Sequence, residues 1–591
     1  VNAATGITSY GYSPDTRIAD GEVVGDFTTM IHKIHQGHAL VKENYAYAGL
    51  AFNVKGFSKL GGGQRMCSTC HDSKIASTAD NHRNLPSRQA CGACHDGINW
   101  ATGGGSTLAD KAAATAPGSA VATSGHRGGP AADDSNCAAC HTPTFVKLSH
   151  RMENITKNNP EIADGLATFT YDIKSATMSG TSLIVEFGIK QRIAPSTTDT
   201  LVSFVAPAPT VSNPLTGFTG GPSFLLPYAQ SQDGITNPVD YNNLGRSQAQ
   251  PRSVSVASLL STNQAATVGS MVPSTTNPGY YTATILNAYP AGARLRAVAL
   301  QGYFNQITAP ASAAAPNGRH AISVIKSVTG DTVRRTVVDA AKCADCHEWF
   351  EGHGGNRVYE TQVCVACHVP GLATSGRRIS DAALNAYPFT KSDLKILAGW
   401  NFDKSLPNAA LKLPVTSNNM KDMIHGIHAG RARVTPYQEA RDRTPSAINL
   451  LDFRRMDFPG ILSNCETCHV TAATTDQKTY NYVPAGSLPS TYESVNAAYA
   501  AGILAGNATP AMAGASLTTA NATDIVTTPF TASCVSCHDR DAAKAHMVIN
   551  GGAINVARSV AQPTPRALED VESCAVCHGP GRDFDTSKVH K

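Results

Sequence analysis

The cysteines of this 591-residue chain all lie in C-x-x-C-H motifs, and none of the 16 is left over. Each motif holds two thiols three residues apart, with a histidine directly after the second. The eight motifs are Cys67, Cys70 and His71; Cys91, Cys94 and His95; Cys137, Cys140 and His141; Cys343, Cys346 and His347; Cys364, Cys367 and His368; Cys465, Cys468 and His469; Cys534, Cys537 and His538; and Cys574, Cys577 and His578. Any fold of the chain must therefore accommodate whatever these eight groups bind.

The C-x-x-C-H motif is the attachment signature of c-type haem. The two thiols form covalent bonds to the porphyrin, and the histidine becomes the proximal ligand of the iron. Zinc clusters, redox dithiols and disulfides are the alternatives, but none of them requires a histidine after every cysteine pair. The sequence therefore predicts eight c-type haems as cofactors, with the eight motif histidines as proximal iron ligands.

Twelve further histidines are available for the opposite, distal side of the irons. Four of them lie in two similar stretches, "MIHKIHQG" from Met30 and "MIHGIHAG" from Met423. On a helix, residues i and i+3 lie on one face, so each stretch could present two imidazoles to two neighbouring haems. A cluster of surface histidines is the alternative, but both copies lie beside haem motifs.

The order of histidines and motifs along the chain selects the probable set of distal ligands from these twelve. The predicted ligands are His32, His35, His126, His150, His353, His425, His428, His546 and His590. His82 and His38 are weaker candidates, and His320 falls in a different kind of segment and is not predicted to bind iron. Nine candidates for eight positions leave one in surplus, which either binds no iron or binds a haem of a neighbouring protomer.

The motifs form two groups separated by about 200 residues without cysteine. The order of motifs and histidines makes Cys67, Cys91 and Cys137 correspond to Cys465, Cys534 and Cys574. Between the groups, the stretch "TFTYDIKSATMSGTSLIVEFGI" reads as two strands around a turn, and later segments alternate in the same way. The predicted domains are a three-haem module at 1–154, a β domain at 155–335 and a five-haem module at 336–591. The fold class is thus multidomain, with two irregular, sparsely helical multihaem modules flanking an all-β sandwich or barrel.

Charge and hydropathy narrow the possible partners and the compartment. The formal charge of the polypeptide is only +4 and no dense run of Lys and Arg occurs, so nucleic acid is not an expected partner. Covalent haem is attached outside the energy-transducing membrane, which makes this an exported protein. The sequence has no apolar run of 18 residues and no cysteine for a lipid anchor, so we expect neither a membrane helix nor direct lipid anchoring.

The motif set resembles the MtrC/OmcA outer-surface decahaem cytochromes. The resemblance lies in "CHEWFEGHGG" from Cys346, "CGACHDGINWATGGG" from Cys91 and the two histidine pairs, and it covers most of the chain. It implies transfer of electrons from periplasmic or outer-membrane donors to extracellular acceptors, such as metal oxides in dissimilatory metal reduction, or flavins. It also implies other multihaem cytochromes or a porin–cytochrome complex as partners. This chain has eight motifs where that family has ten, so a secreted cytochrome or a homopolymeric nanowire is a further expectation.

Enzymatic activity is the alternative that the residues leave open. An octahaem oxidoreductase of nitrogen or sulfur compounds needs one haem with an open axial position, often a haem ligated by lysine. The chain contains no C-x-x-C-K motif and has histidines in excess. With both axial positions closed, an iron can exchange electrons but cannot bind a substrate atom. The sequence thus favours an electron-transfer protein without catalytic residues.

Overall fold

The computed structural model describes residues 18–591 except 20–21, 24, 43–44, 48–49, 52–66, 115–119, 247–248, 375–378, 445–446, 457, 471–485, 492–504, 506–521, 563–567 and 591. The chain forms two compact units. The first comprises Val1–Asp164, Cys346–Phe350 and Phe389–Lys395; the second comprises Gly165–Asp345, Glu351–Pro388 and Ile396–Lys591. The predicted boundaries after residues 154 and 335 stay predictions.

Short helices joined by loops make up most of the first unit. Its helices are α1 (Phe27–Gln36), α2 (Asn81–Asn84), α3 (Arg88–Gly92), α4 (Leu108–Ala113), α5 (Cys137–Cys140) and α6 (Pro143–His150). Its strands form two small antiparallel hairpins, β1 (Ile18–Ala19) with β2 (Glu22–Val23) and β3 (Ala46–Tyr47) with β4 (Leu50–Ala51). The sparse helix that the sequence predicts is confirmed here.

An antiparallel β region opens the second unit. Its strands are β5 (Ala167–Ser179), β6 (Ser182–Ile193), β7 (Thr200–Leu201), β8 (Phe218–Gly220), β9 (Ser223–Leu226), β10 (Arg252–Ser255), β11 (Gly269–Pro273), β12 (Tyr281–Ile285), β13 (Ala297–Gln301), β14 (Tyr303–Gln306), β15 (Asn317–His320) and β16 (Val324–Ser327). They form three sheets in the orders β11-β12-β6-β5 (with β7 beside β6), β10-β9-β13-β16 and β15-β14-β8. Helix α7 (Val256–Leu260) follows β10. The predicted hairpin around Gly180 is confirmed as β5 and β6.

The three sheets share one apolar core. Alternate residues of β5 and β6 are buried, as expected for strands that present one face to a core. Phe187 and Phe224 meet edge to face with ring centroids 5.0 Å apart, and Phe304 packs 4.7 Å from Phe169. The β region thus has a core of its own, whereas a sandwich or barrel description of it stays a prediction.

The rest of the second unit again consists of short elements. Its helices are α8 (Ala340–Ala344), α9 (Thr361–Val365), α10 (Asp381–Ala386), α11 (Lys391–Gly399), whose first residues lie in the first unit, α12 (Met420–His428), α13 (Pro529–Val535), α14 (Asp541–Ile549), α15 (Arg558–Ala561), α16 (Ala575–His578) and α17 (Thr586–Val589). Its strands are β17 (Glu351–Gly352), β18 (Arg357–Val358), β19 (Gln438–Thr444), β20 (Ala447–Asp452), β21 (Ser490–Thr491), β22 (Ile525–Thr527) and β23 (Val556–Ala557). The predicted arrangement of sparsely helical segments around a β region is confirmed. Within the described ranges, no helix has both the length and the apolar composition needed to cross a bilayer.

Truncating the centre of the β core tests whether this region depends on its own packing. We expect Phe224→Ala to lower the free energy of unfolding of the β region by about 3–5 kcal/mol, because a fully buried aromatic side chain is removed. Hydrogen exchange of peptides from β5 and β6 measures the effect. Val272→Ala, which shortens a side chain that is 57% exposed, is the control and should leave exchange unchanged. Equal exchange in both variants would show that the core does not stabilise these strands.

Candidate haem sites

Both histidine pairs lie on helices, as their spacing predicts. Helix α1 begins after Asp26, whose side chain accepts a hydrogen bond from Thr29 N at 3.1 Å, and it ends at Gly37, where φ is +51°. Helix α12 carries the second copy. Gly426 stands in it where α1 has Lys33, and a Cβ there would lie 2.6 Å from the Tyr437 ring. The residue between the two histidines thus differs between the copies, and in α12 it is a glycine that leaves space for the Tyr437 ring.

The C-x-x-C-H segments share one backbone conformation. In the first motif, His71 N donates to Cys67 O at 2.8 Å, so the five residues form a single helical turn. The same bond closes the turn at His95, His141, His368, His469, His538 and His578, at distances of 2.8 or 2.9 Å. One turn brings both cysteines and the histidine to the same side of the backbone, as a group attached at all three points requires.

Seven motif histidines face a second histidine across a nearly constant gap. Their ring centroids are 5.8–6.2 Å apart in the pairs His71–His32, His95–His150, His141–His126, His368–His353, His469–His425, His538–His590 and His578–His546. A metal–imidazole bond of about 2 Å on each side would separate two centroids by roughly 6.2 Å. The gap therefore fits one metal ion held between two imidazoles.

These pairs follow the same order in the three N-terminal motifs and in the three C-terminal motifs that correspond to them, which begin at Cys465. The first motif histidine faces the first residue of the histidine pair: His71 faces His32, and His469 faces His425. The middle motif takes the histidine that lies after the last motif, so that His95 faces His150 and His538 faces His590. The last motif takes the histidine just before it, since His126 faces His141 and His546 faces His578. The correspondence of the two groups predicted from motif order thus extends to side-chain geometry.

Hydrogen bonds orient the distal imidazoles. The Nδ1 atom lies 2.7–3.0 Å from a backbone carbonyl oxygen in His32, His35, His126, His150, His428 and His590. His425 Nδ1 lies 3.1 Å from Ser536 Oγ, which itself donates to Ser533 O and so acts as acceptor. A carbonyl only accepts, so Nδ1 carries the proton and Nε2 keeps its lone pair. This is the usual arrangement of a metal-binding histidine.

Burial lowers the pKa of several of the paired imidazoles and so favours the neutral form, which is the form that binds a metal. Burial lowers the pKa of His425 to about 3, and nearby His469 and His428 lower it further. Burial also lowers the pKa of His469 to about 4, with a further contribution from Arg335. The pKa values of His32, His95, His368 and His538 are lowered for the same first reason.

Several cysteine thiols have the opposite pKa shift, again because of burial. Burial raises the pKa of the Cys94, Cys364 and Cys534 thiols to about 12, so thiolates are strongly disfavoured there. Zinc and other metals bound through sulfur require thiolates. In the described ranges, no group of three or more His, Cys, Asp or Glu side chains is arranged to hold a metal ion. Both observations fit covalent haem attachment better than the alternative of zinc clusters.

Two half-buried guanidinium groups, of which that of Arg335 lies near His469, suit the carboxylates of a haem. Within the described part of the chain, the Nε atoms of Arg334 and Arg335 are buried and have no hydrogen-bond acceptor. Both side chains also bond to Asp240, at 2.6 Å and 3.3 Å. Because Arg335 lowers the pKa of His469, its positive charge lies close to that imidazole. The residues around His469 thus fit haem, with its imidazole-bound iron and its negatively charged propionates.

Glycines position the loop that carries His126. Gly103 has φ +72°, and a Cβ on it would lie 2.5 Å from the backbone carbon of Gly129. His126 N donates to Gly103 O at 2.7 Å, and His126 Nδ1 bonds to Gly129 O at 2.8 Å. The run of glycines after Trp100 therefore allows two loops to approach closely enough to turn His126 towards His141.

An aspartate directly after the motif of His95, and another directly after the corresponding motif of His538, joins that motif to the segment that follows its histidine-pair helix. Asp96 accepts from Val41 N at 2.8 Å and Lys42 N at 3.1 Å, and Lys33 Nζ lies 3.8 Å from it. Its counterpart Asp539 accepts from Val434 N at 3.0 Å and Thr435 N at 2.6 Å, with Arg433 3.8 Å away. The bonded amides belong in both cases to the sixth and seventh residues after the second histidine. Sequence reasoning missed these residues, although an aspartate follows both motifs.

The remaining candidates have different surroundings. His82 lies 4.7 Å from His71, too close for a metal ion to lie between two opposed rings, and its Nδ1 bonds to Ala79 O. His320 bonds through Nδ1 to Glu351 at 2.7 Å, and that it binds no iron stays a prediction. His38 lies in a short 3-10 helix after α1, and its side chain is outside the described residues. His35 and His428 follow His32 and His425 on the same helices. The assignment of all nine predicted distal histidines as iron ligands stays a prediction.

The sequence matches the family model described as outer membrane cytochrome MtrC/MtrF-like, domains II/IV, over residues 12–151 and 335–591. Two solved structures are similar to the chain. MtrC from Shewanella baltica OS185 is 14% identical with a TM-score of 0.47, over 96% of this chain and 70% of that one. The outer membrane decaheme cytochrome OmcA is 16% identical with a TM-score of 0.48, over 97% of this chain and 68% of that one. No curated protein sequence matches the chain.

Removing Asp96 tests its role in joining helix α1 to the middle motif. We expect Asp96→Ala to lower the free energy of unfolding of the first unit by about 3–5 kcal/mol, because a fully buried carboxylate is lost next to the fully buried Lys33 ammonium. Chemical denaturation followed by haem absorbance measures it. Asp133→Ala, at an exposed carboxylate bonded to Ser135, is the control. If the two variants were equally stable, the Asp96 contacts would not hold the helix.

Proposed function

The chain belongs to the MtrC/MtrF-like outer membrane cytochromes, and from this premise we propose that it conducts electrons through eight haems, each bound by two histidines. The family consists of exported, surface-exposed multihaem c-type cytochromes that take part in extracellular electron transfer. The donors we propose are other multihaem cytochromes or a porin–cytochrome complex, and the acceptors are extracellular metal oxides or flavins.

The repeated gap between paired imidazoles is the observation that supports this proposal. A haem held between two histidines has no axial position left for a substrate, so its iron exchanges electrons only. In the facing pairs, Nδ1 of the predicted distal histidine bonds to a carbonyl oxygen in His32, His126, His150 and His590, which leaves Nε2 for the metal. Burial and neighbouring charge, such as Arg335 beside His469, then set how readily each iron is reduced.

His35 and His428 are the second histidines of the two pairs. Both bind a carbonyl of their own helix through Nδ1, at 2.7 Å and 2.9 Å, as the facing histidines on α1 and α6 do. We propose that at least one of them is a distal ligand of an iron, in addition to the seven facing pairs.

Counting haems and observing their spin states tests the proposed function. We expect intact-mass spectrometry to show eight haems and the oxidised protein to show only low-spin iron by electron paramagnetic resonance. The reduced protein should be oxidised by ferric citrate or flavin, with all haem absorbance bands returning to their oxidised positions. A stoichiometric high-spin signal in pure protein, or fewer than eight attached haems, would contradict the proposal.

Two alanine variants test whether the second histidines bind iron. Loss of a true distal ligand should convert about one eighth of the haem iron to high spin, because one axial position becomes open. We expect this from at least one of His35→Ala and His428→Ala, and the same spectra measure it. His590→Ala is the positive control, since His590 faces His538 at 5.8 Å. High-spin iron in neither variant would reject the assignment.

A further inference from the structure

The distal ligand loop of the haem motif Cys364–His368 has an unfavourable backbone conformation. His353 lies between β17 and β18 and faces His368 at 6.0 Å. Its φ is +57°, in the left-handed region, which is unfavourable for a residue other than glycine. Such conformations persist only where surrounding contacts hold them. The contacts around this loop are therefore part of what places His353.

The edge of the β region supplies those contacts. His320, at the end of β15, bonds through Nδ1 to Glu351 Oε2 at 2.7 Å, two residues before His353. Two residues after His353, Gly355 lies against the His320 ring so closely that a Cβ would be 2.3 Å from it. Gly302 N also donates to Asn356 O at 2.9 Å, and Asn356 Nδ2 donates to His353 O at 3.0 Å. His320 thus contacts the loop on both sides of the ligand.

The same β region also holds the proximal side of this haem site. Asn243 Nδ2 donates to Ala366 O at 2.9 Å, and Gln250 Nε2 donates to Cys367 O at 3.3 Å. Val363, just before the motif, is buried against Leu225 and Ala299 of strands β9 and β13. Both segments that carry an axial histidine are consequently fixed to one rigid group of strands.

We infer that His320 is a positioning residue for the haem attached at Cys364 and Cys367, acting through Glu351 and Gly355 on the place of His353. This inference rests on the proposed function, because it requires His353 and His368 to bind one iron. Without the His320 contacts, the loop loses the hydrogen bond and the ring that hold it. His353 then relaxes from its left-handed conformation, and the distal bond lengthens or opens.

The test compares His320→Ala with His320→Asn in the full haem-loaded chain. The Asn Nδ2 atom occupies nearly the place of His Nδ1 and can still donate to Glu351. We expect His320→Ala to convert about one eighth of the iron to high spin, or to shift the reduction potential of a single haem, with the other haems unchanged. His320→Asn should restore part of the wild-type spectrum. Glu186→Ala, at a carboxylate in the same β region that bonds to Ser274 and Thr276, is the matched control and should change neither readout.

A double variant identifies the haem that His320 affects. His353→Ala should open the same axial position, so His320→Ala combined with His353→Ala should give no more high-spin iron than His353→Ala alone. Groups that act through one another are not additive, whereas independent sites are. Additive high-spin signals, or a His320→Ala spectrum and potentials identical to wild type, would overturn the inference. High-spin iron in the wild-type protein would instead reject the proposed function itself.

Unfolding is the outcome that could imitate the expected result. Intact-mass haem counts and hydrogen exchange of β5 and β6 should therefore be unchanged in His320→Ala. If exchange rises throughout the β region, Gly355→Ala provides the decisive variant. It leaves every side chain of the strands in place and forces the loop away from the His320 ring. Gly354→Ala strains the same loop at φ +66° but places its Cβ near no other atom, so it is the control for backbone strain. High-spin iron in Gly355→Ala but not in Gly354→Ala supports the inference, whereas a wild-type spectrum of Gly355→Ala, or equal signals in both variants, rejects it.

Discussion

The separation between paired imidazole rings is the constraint on which the rest of the structure depends. A ring placed an ångström too far away could not reach a metal bound on the other side. The chain meets this requirement with a small set of local devices, namely one helical turn at the motif, an Nδ1 bond to a carbonyl and burial that keeps the ring neutral. Because each device needs only a few residues, short helices and loops suffice, and long regular elements are unnecessary around these sites.

Two features of the repeat join neighbouring haem sites to each other. The histidine-pair helix places its first histidine opposite the first of the three corresponding motifs, and Asp96 or Asp539 fastens the segment after this helix to the second of them. A displacement of this helix would therefore disturb two sites at once. The β region has a comparable role for the motif at Cys364. Its Asn243 side chain donates to a backbone carbonyl of the motif, and its His320 binds the separate loop that carries His353. Electron transfer requires fixed distances between redox centres, and these contacts fix the segments that carry the haem sites.

The sequence predicted those parts of the site that depend on local spacing. Patterns within some 20 residues of sequence predict the motifs, the helices that carry His32 and His425, and the hairpin around Gly180. It left open which distal histidine meets which motif, because chain order says nothing about whether His150 turns to His141 or to His95. Asp96 was missed because its bonded amides are more than 50 residues away, and the role of His320 because Glu351 belongs to another element.

The crossed order of the axial histidines also bears on how the protein matures. The middle motif at His95 faces His150, which is made after the third motif at His141. A haem attached at Cys91 and Cys94 would therefore be held by His150 only after the following segment has been synthesised and translocated. Binding of both His95 and His150 to one iron would then close the chain between them into a loop, at an entropic cost that grows only slowly with loop length. Completion of the site of His95 and His150 would thus require that the chain up to His150 has been translocated.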